Sequence, residues 1–180
     1  QLTGLTMELL RGETLGSRLA RVGPLTPAEA LPLVRQMAAA LDAAHAVGVI
    51  HRDFKSSNVI LVPEEAGERV VVTDFGVARP GPVWVSGCDG EDAFLGTADY
   101  MSPEQARGEA ITPATDLYAL GVVLFEMVTG ERPHLGPTAG AVLRRRLAGP
   151  PPSPRLIVPT LDEAWERAIL SCLADDPGRR

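Results

Sequence analysis

His51-Arg52-Asp53-Phe54-Lys55-Ser56-Ser57-Asn58 is the stretch that decides the fold of this chain, and Asp74-Phe75-Gly76 follows it at a short distance. Between the two lie apolar runs at 59–62 and 70–73, which are rich in β-branched residues and flank a polar turn. This pattern predicts a β-hairpin. Because a hairpin brings its entry and its exit together, we expect Asn58 and Asp74 to lie side by side.

The residue types in this stretch suit the transfer of a phosphoryl group from ATP, which depends on positioning and charge more than on covalent bonds to the protein. Asp53 can accept or orient the proton of an attacking hydroxyl. Lys55 can present a compact positive charge to the transferring phosphate. Asn58 offers a neutral oxygen and Asp74 a charged one, and magnesium prefers such hard donors. The sequence therefore predicts one metal site on the hairpin.

Lys55 is the only lysine among 17 basic residues, of which 16 are arginine. A lone lysine is most often a solvated surface charge. Here, however, a chain that otherwise uses arginine has lysine between Asp53 and Asn58, where a compact charge is needed. The neighbours therefore favour a catalytic interpretation of Lys55.

A third segment completes the set: Gly96-Thr97-Ala98-Asp99-Tyr100-Met101-Ser102-Pro103-Glu104. The three segments resemble the catalytic loop, the metal-binding motif and the substrate-docking segment of eukaryotic-like Ser/Thr protein kinases, particularly bacterial ones. The resemblance covers nearly the whole chain. Phe54 stands where leucine is usual and Ser102 where alanine is usual, while Lys55 and Thr97 resemble the Ser/Thr branch of the family.

The resemblance implies a mainly α fold, the large (C-terminal) lobe of a protein kinase, with a short β-hairpin that carries the metal site and a remnant of the small-lobe sheet at the N-terminus. It divides residues 1–180, a partial kinase domain, into a hinge at about 7–13 and a large lobe at about 14–180. It implies an ATP-dependent enzyme that phosphorylates a Ser or Thr hydroxyl of a protein substrate. The implied cofactors are ATP and Mg²⁺, with Mn²⁺ as a substitute.

The resemblance also assigns roles to individual residues. The catalytic set is Asp53, Lys55, Asn58 and Thr97, and the metal ligands are Asn58 and Asp74. Nucleotide contacts fall on Met7, Glu8, Leu10 and Glu13 near the hinge, and on Lys55, Asn58 and Asp74. Structural or regulatory roles fall on His51, Arg52, Phe75, Gly76, Asp89, Glu91, Glu104, Asp116 and Arg180.

Two of these roles imply specific contacts. Asp116 is expected to accept backbone N–H bonds beneath the catalytic loop, with plain helix capping as the alternative. Arg180 is expected to form a buried pair with Glu104.

Arg52 resembles the arginine that binds a phosphorylated activation-loop residue in many kinases. Where related bacterial kinases carry phosphorylated threonines, this chain has Asp89 and Glu91, and Ser86 is the only hydroxyl residue between Gly76 and Gly96. One hypothesis is that a carboxylate of Asp89 or Glu91 replaces phosphate against Arg52. The alternative is a solvated loop that is acidic without any such role.

Capping motifs predict two long helices. Thr26-Pro27-Ala28-Glu29 opens the first, which ends at Gly48. His45 near its end is interpreted as a helix-end residue without a chemical role. The expected inward residues of this helix are Leu31, Val34, Met37, Ala38, Leu41 and Ala44. Thr112-Pro113-Ala114-Thr115 opens the second, which is apolar on nearly every side and is therefore expected to be fully buried.

Two shorter helices are predicted towards the end of the chain, at Ala139–Leu147 and at Leu161–Leu173. The first carries the basic triplet Arg144-Arg145-Arg146. Such a triplet is interpreted as a solvated helix face, with a substrate-docking role as the alternative.

Composition limits the remaining function classes. The net charge of −6 and the pI near 5.1 argue against nonspecific binding to nucleic acid or to an anionic membrane. The chain has no apolar run of membrane-spanning length and no secretory signal pattern at its first residues, so we expect it to be soluble and cytoplasmic. A membrane tether in segments outside this chain is compatible with that prediction. Cys88 and Cys172 show no metal-ligand spacing.

No Gly-x-Gly-x-x-Gly loop precedes the hinge, and since Lys55 is the only lysine, the small-lobe lysine of a kinase is absent from this chain. The isolated chain is therefore expected to have negligible activity. The competing function class is a non-catalytic, pseudokinase-like scaffold or an inactive fragment. Because Asp53, Asn58 and Asp74 are all intact, the interpretation as an enzyme is favoured.

Overall fold

The computed structural model of the chain describes residues 8–65, 67–75 and 98–180. These residues are mostly helical, as predicted, and they contain one small antiparallel sheet. The strands are β1 (Glu13–Thr14), β2 (Val59–Glu64) and β3 (Gly67–Val72). The α-helices are α1 (Leu15–Val22), α2 (Pro27–Ala46), α3 (Pro103–Arg107), α4 (Pro113–Thr129), α5 (Ala139–Ala148) and α6 (Glu163–Cys172). Short 3₁₀ turns lie at Ser56–Asn58, Pro154–Leu156 and Pro177–Arg179.

The predicted hairpin is confirmed as β2 and β3, which pair in antiparallel register from Val59 opposite Val72 to Glu64 opposite Gly67. Strand β1 joins the other edge of β2, and the chain approaches it through Gly12. A Cβ atom at Gly12 would lie 2.2 Å from the carbonyl oxygen of Leu61, so only glycine permits this close crossing. The remnant of a small-lobe sheet predicted at the N-terminus falls largely on residues 1–7, which lie outside the described residues.

Helix α2 begins at the predicted capping box, in which Thr26 and Glu29 bond each other's backbone N–H groups. Its predicted inward face was partly wrong. Leu31 is 40% exposed, whereas Leu33, which was not expected inside, is buried. The predicted and the observed buried faces share Met37 and Leu41, and helical periodicity alone does not decide between them.

Helix α4 is buried on nearly all sides, as predicted, and it packs against α2 and α6. Its contact with α6 is close: a Cβ atom at Gly121 would lie 2.6 Å from the Cβ atom of Cys172. This helix forms the centre of the main hydrophobic cluster, which also includes Met37 and Leu41 of α2 and Ile169 of α6. The same cluster includes Phe54, so the core packs against residues 51–58, the catalytic stretch.

The two short helices towards the end of the chain are confirmed as α5 and α6, within a few residues of their predicted bounds. The interpretation of the basic triplet was wrong for one residue. Arg144 and Arg145 are exposed, but Arg146 is only 3% exposed. None of the helices in the described part of the chain is both long enough and apolar enough to cross a membrane.

Candidate active site

Asp116, on the first turn of α4, fixes the backbone at the start of the catalytic stretch. Its carboxylate is 1% exposed and accepts the backbone N–H groups of His51 at 2.8 Å and of Arg52 at 2.9 Å. This is the contact that the resemblance implied. The Nε2 atom of His45 donates a further hydrogen bond to the same carboxylate at 2.7 Å. A buried carboxylate needs such donors, and here three converge on it.

His45 lies in the last turn of α2, as predicted, and its hydrogen bond to Asp116 adds a structural role that the sequence interpretation did not include. It joins the last turn of α2 to the buried carboxylate that orients the catalytic stretch. The backbone of Arg52 adopts a left-handed φ of 68°, which is costly for a residue with a side chain. The hydrogen bond from its N–H group to Asp116 helps to hold that conformation.

His51 connects the catalytic stretch to the exit of the hairpin, just after β3. It is fully buried, and its Nε2 atom lies 2.9 Å from the carbonyl oxygen of Thr73. Since a carbonyl can only accept, Nε2 carries the proton, which leaves Nδ1 of the neutral ring as an acceptor. Nδ1 accepts the backbone N–H of Asp53 at 3.3 Å. The ring also contacts those of Phe54 and Phe75, with centroids 5.6 Å and 4.7 Å away.

The structure brings Asp53, Lys55 and Asn58 together. The Nζ atom of Lys55 lies 2.8 Å from a carboxylate oxygen of Asp53, and the side-chain amide of Asn58 donates to the backbone carbonyl of Asp53 at 2.9 Å. The side chains of Asp53 and Lys55 are 26% and 20% exposed, so that a substrate can reach both. The arrangement places a carboxylate and a positive charge beside each other on a fixed backbone.

Asn58 and the residue before Asp74 are hydrogen-bonded neighbours, because the carbonyl oxygen of Asn58 accepts the N–H of Thr73 at 2.9 Å. Asp74 itself is exposed and adopts a left-handed φ of 64°, which aspartate tolerates better than most residues. The donor set of the pair fits a hard divalent cation: the NH₂ group of Asn58 is used by the protein, so its amide oxygen is the atom for a ligand.

Within residues 8–65, 67–75 and 98–180, no group of three or more His, Cys, Asp or Glu side chains could hold a metal on its own. A cation held by Asn58 and Asp74, as the sequence predicts, would need further oxygen ligands such as phosphate and water.

The residues assigned to the hinge lie at the edge of the sheet. The carboxylate of Glu8 is paired with Arg69 at 2.9 Å, and Leu10 is partly buried. The carboxylate of Glu13 in β1 is held by Arg21 and Arg18, each at 2.6 Å, and these contacts lower its pKa to about 2. A nucleotide contact of Glu8 or Glu13 stays a prediction.

Several predicted site residues fall outside the described part of the chain. They are Met7, Gly76, Asp89, Glu91 and Thr97. Their assigned roles stay predictions.

The docking segment is joined to the catalytic stretch through Tyr100, a contact that the sequence reasoning missed. The buried hydroxyl of Tyr100 donates to Glu126 of α4 at 2.6 Å and lies 2.9 Å from the hydroxyl of Ser56. Since the Tyr100 proton goes to Glu126, Ser56 donates to the Tyr100 oxygen. Burial raises the pKa of the Glu126 carboxyl, although the hydrogen bond from Tyr100 lowers it in part.

The predicted pair of Glu104 and Arg180 is confirmed. Two hydrogen bonds of 2.6 Å and 2.8 Å join the guanidinium to the two carboxylate oxygens, and Thr115 donates a third at 2.9 Å. Burial raises the pKa of Glu104, but Arg180 and Thr115 outweigh it, so the pKa lies below its usual range. This pair attaches α3, which begins within the docking segment, to Arg180.

Comparison with known proteins gives a consistent picture over the whole chain. The family described as "Protein kinase domain" matches residues 2–180. The chain is 42% identical over 179 residues to Serine/threonine-protein kinase PknA of Mycobacterium tuberculosis, covering 98% of this chain and 39% of PknA. It is 39% identical over 180 residues to Serine/threonine-protein kinase PkaA of Streptomyces coelicolor, covering 100% of this chain and 32% of PkaA.

A third relative, Serine/threonine-protein kinase PknH of Mycobacterium tuberculosis, is 38% identical over 180 residues, covering 98% of this chain and 27% of PknH. The chain therefore spans roughly a third of the length of the curated relatives that it matches.

Proposed function

This chain belongs to the protein kinase domain family, and from that premise we propose that the protein carrying it transfers the γ-phosphate of ATP to Ser or Thr hydroxyls of protein substrates. The observation that carries the proposal is the contact of Asp53 with Lys55 and Asn58 on a backbone fixed by Asp116. Its relatives are named Ser/Thr kinases, and Lys55 follows the pattern of that branch.

In this proposal each residue of the site has one task. Asp53 orients the acceptor hydroxyl and receives its proton, while Lys55 offsets charge on the transferring phosphate. Asn58 and Asp74 hold the divalent metal, which we propose to be Mg²⁺ with Mn²⁺ as a substitute. The metal, when bound, neutralises charge on the nucleotide phosphates. Thr97 is proposed as a further catalytic residue, and Met7, Glu8, Leu10 and Glu13 are proposed to contact the nucleotide.

We further propose that the chain corresponds to a hinge at about 7–13 and a large lobe at about 14–180 of a kinase domain. The glycine-rich loop and the lysine that grip the ATP phosphates in kinases would then belong to a small lobe that precedes the hinge. No observation favours the scaffold alternative, because each of the three residues whose loss marks degenerate kinases is present. The acidic chain is proposed to work in the cytoplasm on protein substrates and not on nucleic acid.

The regulation proposed for this site depends on Arg52, a residue of the catalytic stretch whose side chain is exposed. A carboxylate of Asp89 or Glu91 would pair with it in place of a phosphate and would order the activation loop only in part, because it carries one charge instead of nearly two. The test is activity of the full-length protein after phosphatase treatment, with Ser86→Ala and Asp89→Asn/Glu91→Gln variants. If Ser86→Ala or phosphatase abolishes activity while the double variant keeps it, Ser86 is the switch and the carboxylates are not.

The proposed reaction is tested by offering the full-length protein matched peptides with Ser, Thr or Tyr as the single acceptor. The reaction mixture contains radiolabelled ATP and either Mg²⁺, Mn²⁺ or a chelator. We expect label on Ser and Thr with either metal and none with the chelator. Label on Tyr alone, or transfer that survives the chelator, would contradict the proposal.

A further inference from the structure

Arg146, on the last turns of α5, is buried against the docking segment although α5 is distant from it in sequence. Its guanidinium donates to the carbonyl oxygens of Ala98 at 2.7 Å, of Asp99 at 2.6 Å and of Met101. Three carbonyl groups from four consecutive residues therefore point at one side chain. The planar fork of an arginine has enough donors for such an arrangement, whereas lysine has a single nitrogen.

The guanidinium is charged and lies away from water, since Arg146 is 3% exposed. Its neighbours within the described residues include these carbonyl groups and the ring of Tyr118, whose centroid is 5.5 Å from the guanidinium carbon. None of the ion pairs found among those residues includes Arg146. A buried charge is tolerated only where polar groups stay close to it. Moving the three carbonyl groups away would leave the buried charge without hydrogen-bond partners. This energetic cost holds the carbonyl groups at the guanidinium.

The same four residues are anchored from other sides. Tyr100 contacts Ser56 of the catalytic stretch and Glu126 of α4. Asp99 forms an ion pair with Arg132, in the segment between α4 and α5. The carbonyl groups face α5 and the Tyr100 side chain faces the catalytic stretch. Arg146 is therefore one of the contacts that fix the docking segment relative to the catalytic stretch.

We propose that Arg146 is a positioning residue that sets the docking segment for the protein acceptor. The proposal rests on the proposed kinase function. It assigns a role in acceptor binding to only one of three arginines that are alike in sequence. Arg144 and Arg145 are exposed, and Arg146 alone is buried. Loss of its hydrogen bonds lets residues 98–101 move, which weakens binding of the acceptor but leaves the site of ATP unchanged.

The test compares Arg146→Gln and Arg146→Lys with wild type in the full-length protein, and Arg144→Gln is the matched control from the same triplet. We expect Arg146→Gln to raise KM for an acceptor peptide by about tenfold, with KM for ATP and kcat changed by less than about twofold. The peptide KM of Arg146→Lys should lie between those of wild type and Arg146→Gln, because the single nitrogen of lysine reaches fewer carbonyl groups. Arg144→Gln should match wild type.

A second readout does not depend on activity: hydrogen exchange of the amides at 98–101 should quicken in Arg146→Gln and stay unchanged in Arg144→Gln. A folded Arg146→Gln variant with unchanged peptide KM would overturn the proposal, as would equal changes in both KM values. If wild type transfers no phosphate, the proposed function fails, and unchanged exchange at 98–101 would then reject the positioning role on its own.

Discussion

Glu104 and Arg180 are 76 positions apart in sequence and form a bidentate ion pair in which the Arg180 side chain is fully buried. The pair joins α3, which begins within the docking segment, to Arg180, which follows the last 3₁₀ turn. Arg180 also donates to the carbonyl groups of Ala114 and Ala174, so that one side chain connects three segments. It therefore belongs to the framework that holds the docking segment and not to the chemistry.

Glu104→Ala is expected to destabilise the protein by about 3 kcal/mol or more, because it leaves the Arg180 charge buried without its partner. The measurement is the free energy of unfolding in urea. Glu163→Ala is the matched control, since Glu163 pairs with Arg155 and Arg167 at the surface and its side chain is 69% exposed. That change should cost less than about 1 kcal/mol. Equal effects of the two substitutions would contradict the account of the buried pair.

The Glu104 pair also predicts how stability depends on pH. The pKa of the Glu104 carboxyl in the folded protein lies below the ordinary value of 4.5. The contribution of ionised Glu104 to the free energy of unfolding is therefore complete above pH 4.5. It is lost as the pH falls through the pKa that Glu104 has in the folded protein. The difference in free energy of unfolding between wild type and Glu104→Gln should shrink as the pH falls from about 7 to about 3. A difference that stays constant or grows over this range would show that Glu104 is not stabilised as an anion.

Gly121→Ala is expected to destabilise the protein. Alanine gains about 1 kcal/mol in helix propensity over glycine, but the new Cβ would lie 2.6 Å from the Cβ of Cys172 and force α4 and α6 apart. Overpacking of this kind costs about 1–3 kcal/mol. Gly140→Ala is the control, since its Cβ would meet only the flexible end of Arg144 at 3.4 Å. Urea unfolding should show opposite signs for the two changes, and stabilisation by both would refute the close helix contact.

Asp74→Asn should abolish phosphoryl transfer by the full-length protein without loss of fold. The residue is exposed, so it contributes little to the core, and asparagine tolerates the left-handed φ of 64° as aspartate does. The measurements are transfer rate against Mg²⁺ concentration and the melting temperature. Asp42→Asn, an exposed aspartate on α2, controls for loss of one surface charge. Full activity of Asp74→Asn at low Mg²⁺ would overturn the assignment of the metal ligand.

The parts of this structure that sequence predicted are those encoded by local patterns. Capping residues located the starts of α2 and α4, and two apolar runs on either side of a polar turn located the hairpin, because these signals act between near neighbours. The contacts of Asp116 and of Glu104 with Arg180 followed from the family resemblance.

What escaped prediction depends on which of several similar residues turns inward. Nothing local distinguishes Arg146 from Arg144, or Leu33 from Leu31, until distant segments pack against them. The contact of His45 with Asp116 joins residues 71 apart, and the contact of Ser56 with Tyr100 joins residues 44 apart. A pattern within one helix or loop carries no information on such pairs.

The measurement that tests the central claim most directly is the rate of γ-phosphate transfer to a Ser peptide by the full-length protein and its Asp53→Asn variant. Asparagine keeps the shape of the side chain and an oxygen for Lys55, but it cannot take a proton. We expect the rate to fall by about 10²-fold or more, with the affinity for Mg²⁺–ATP and the melting temperature unchanged. Transfer by Asp53→Asn at the wild-type rate would show that Asp53 is not the catalytic carboxylate and that the site has been misassigned.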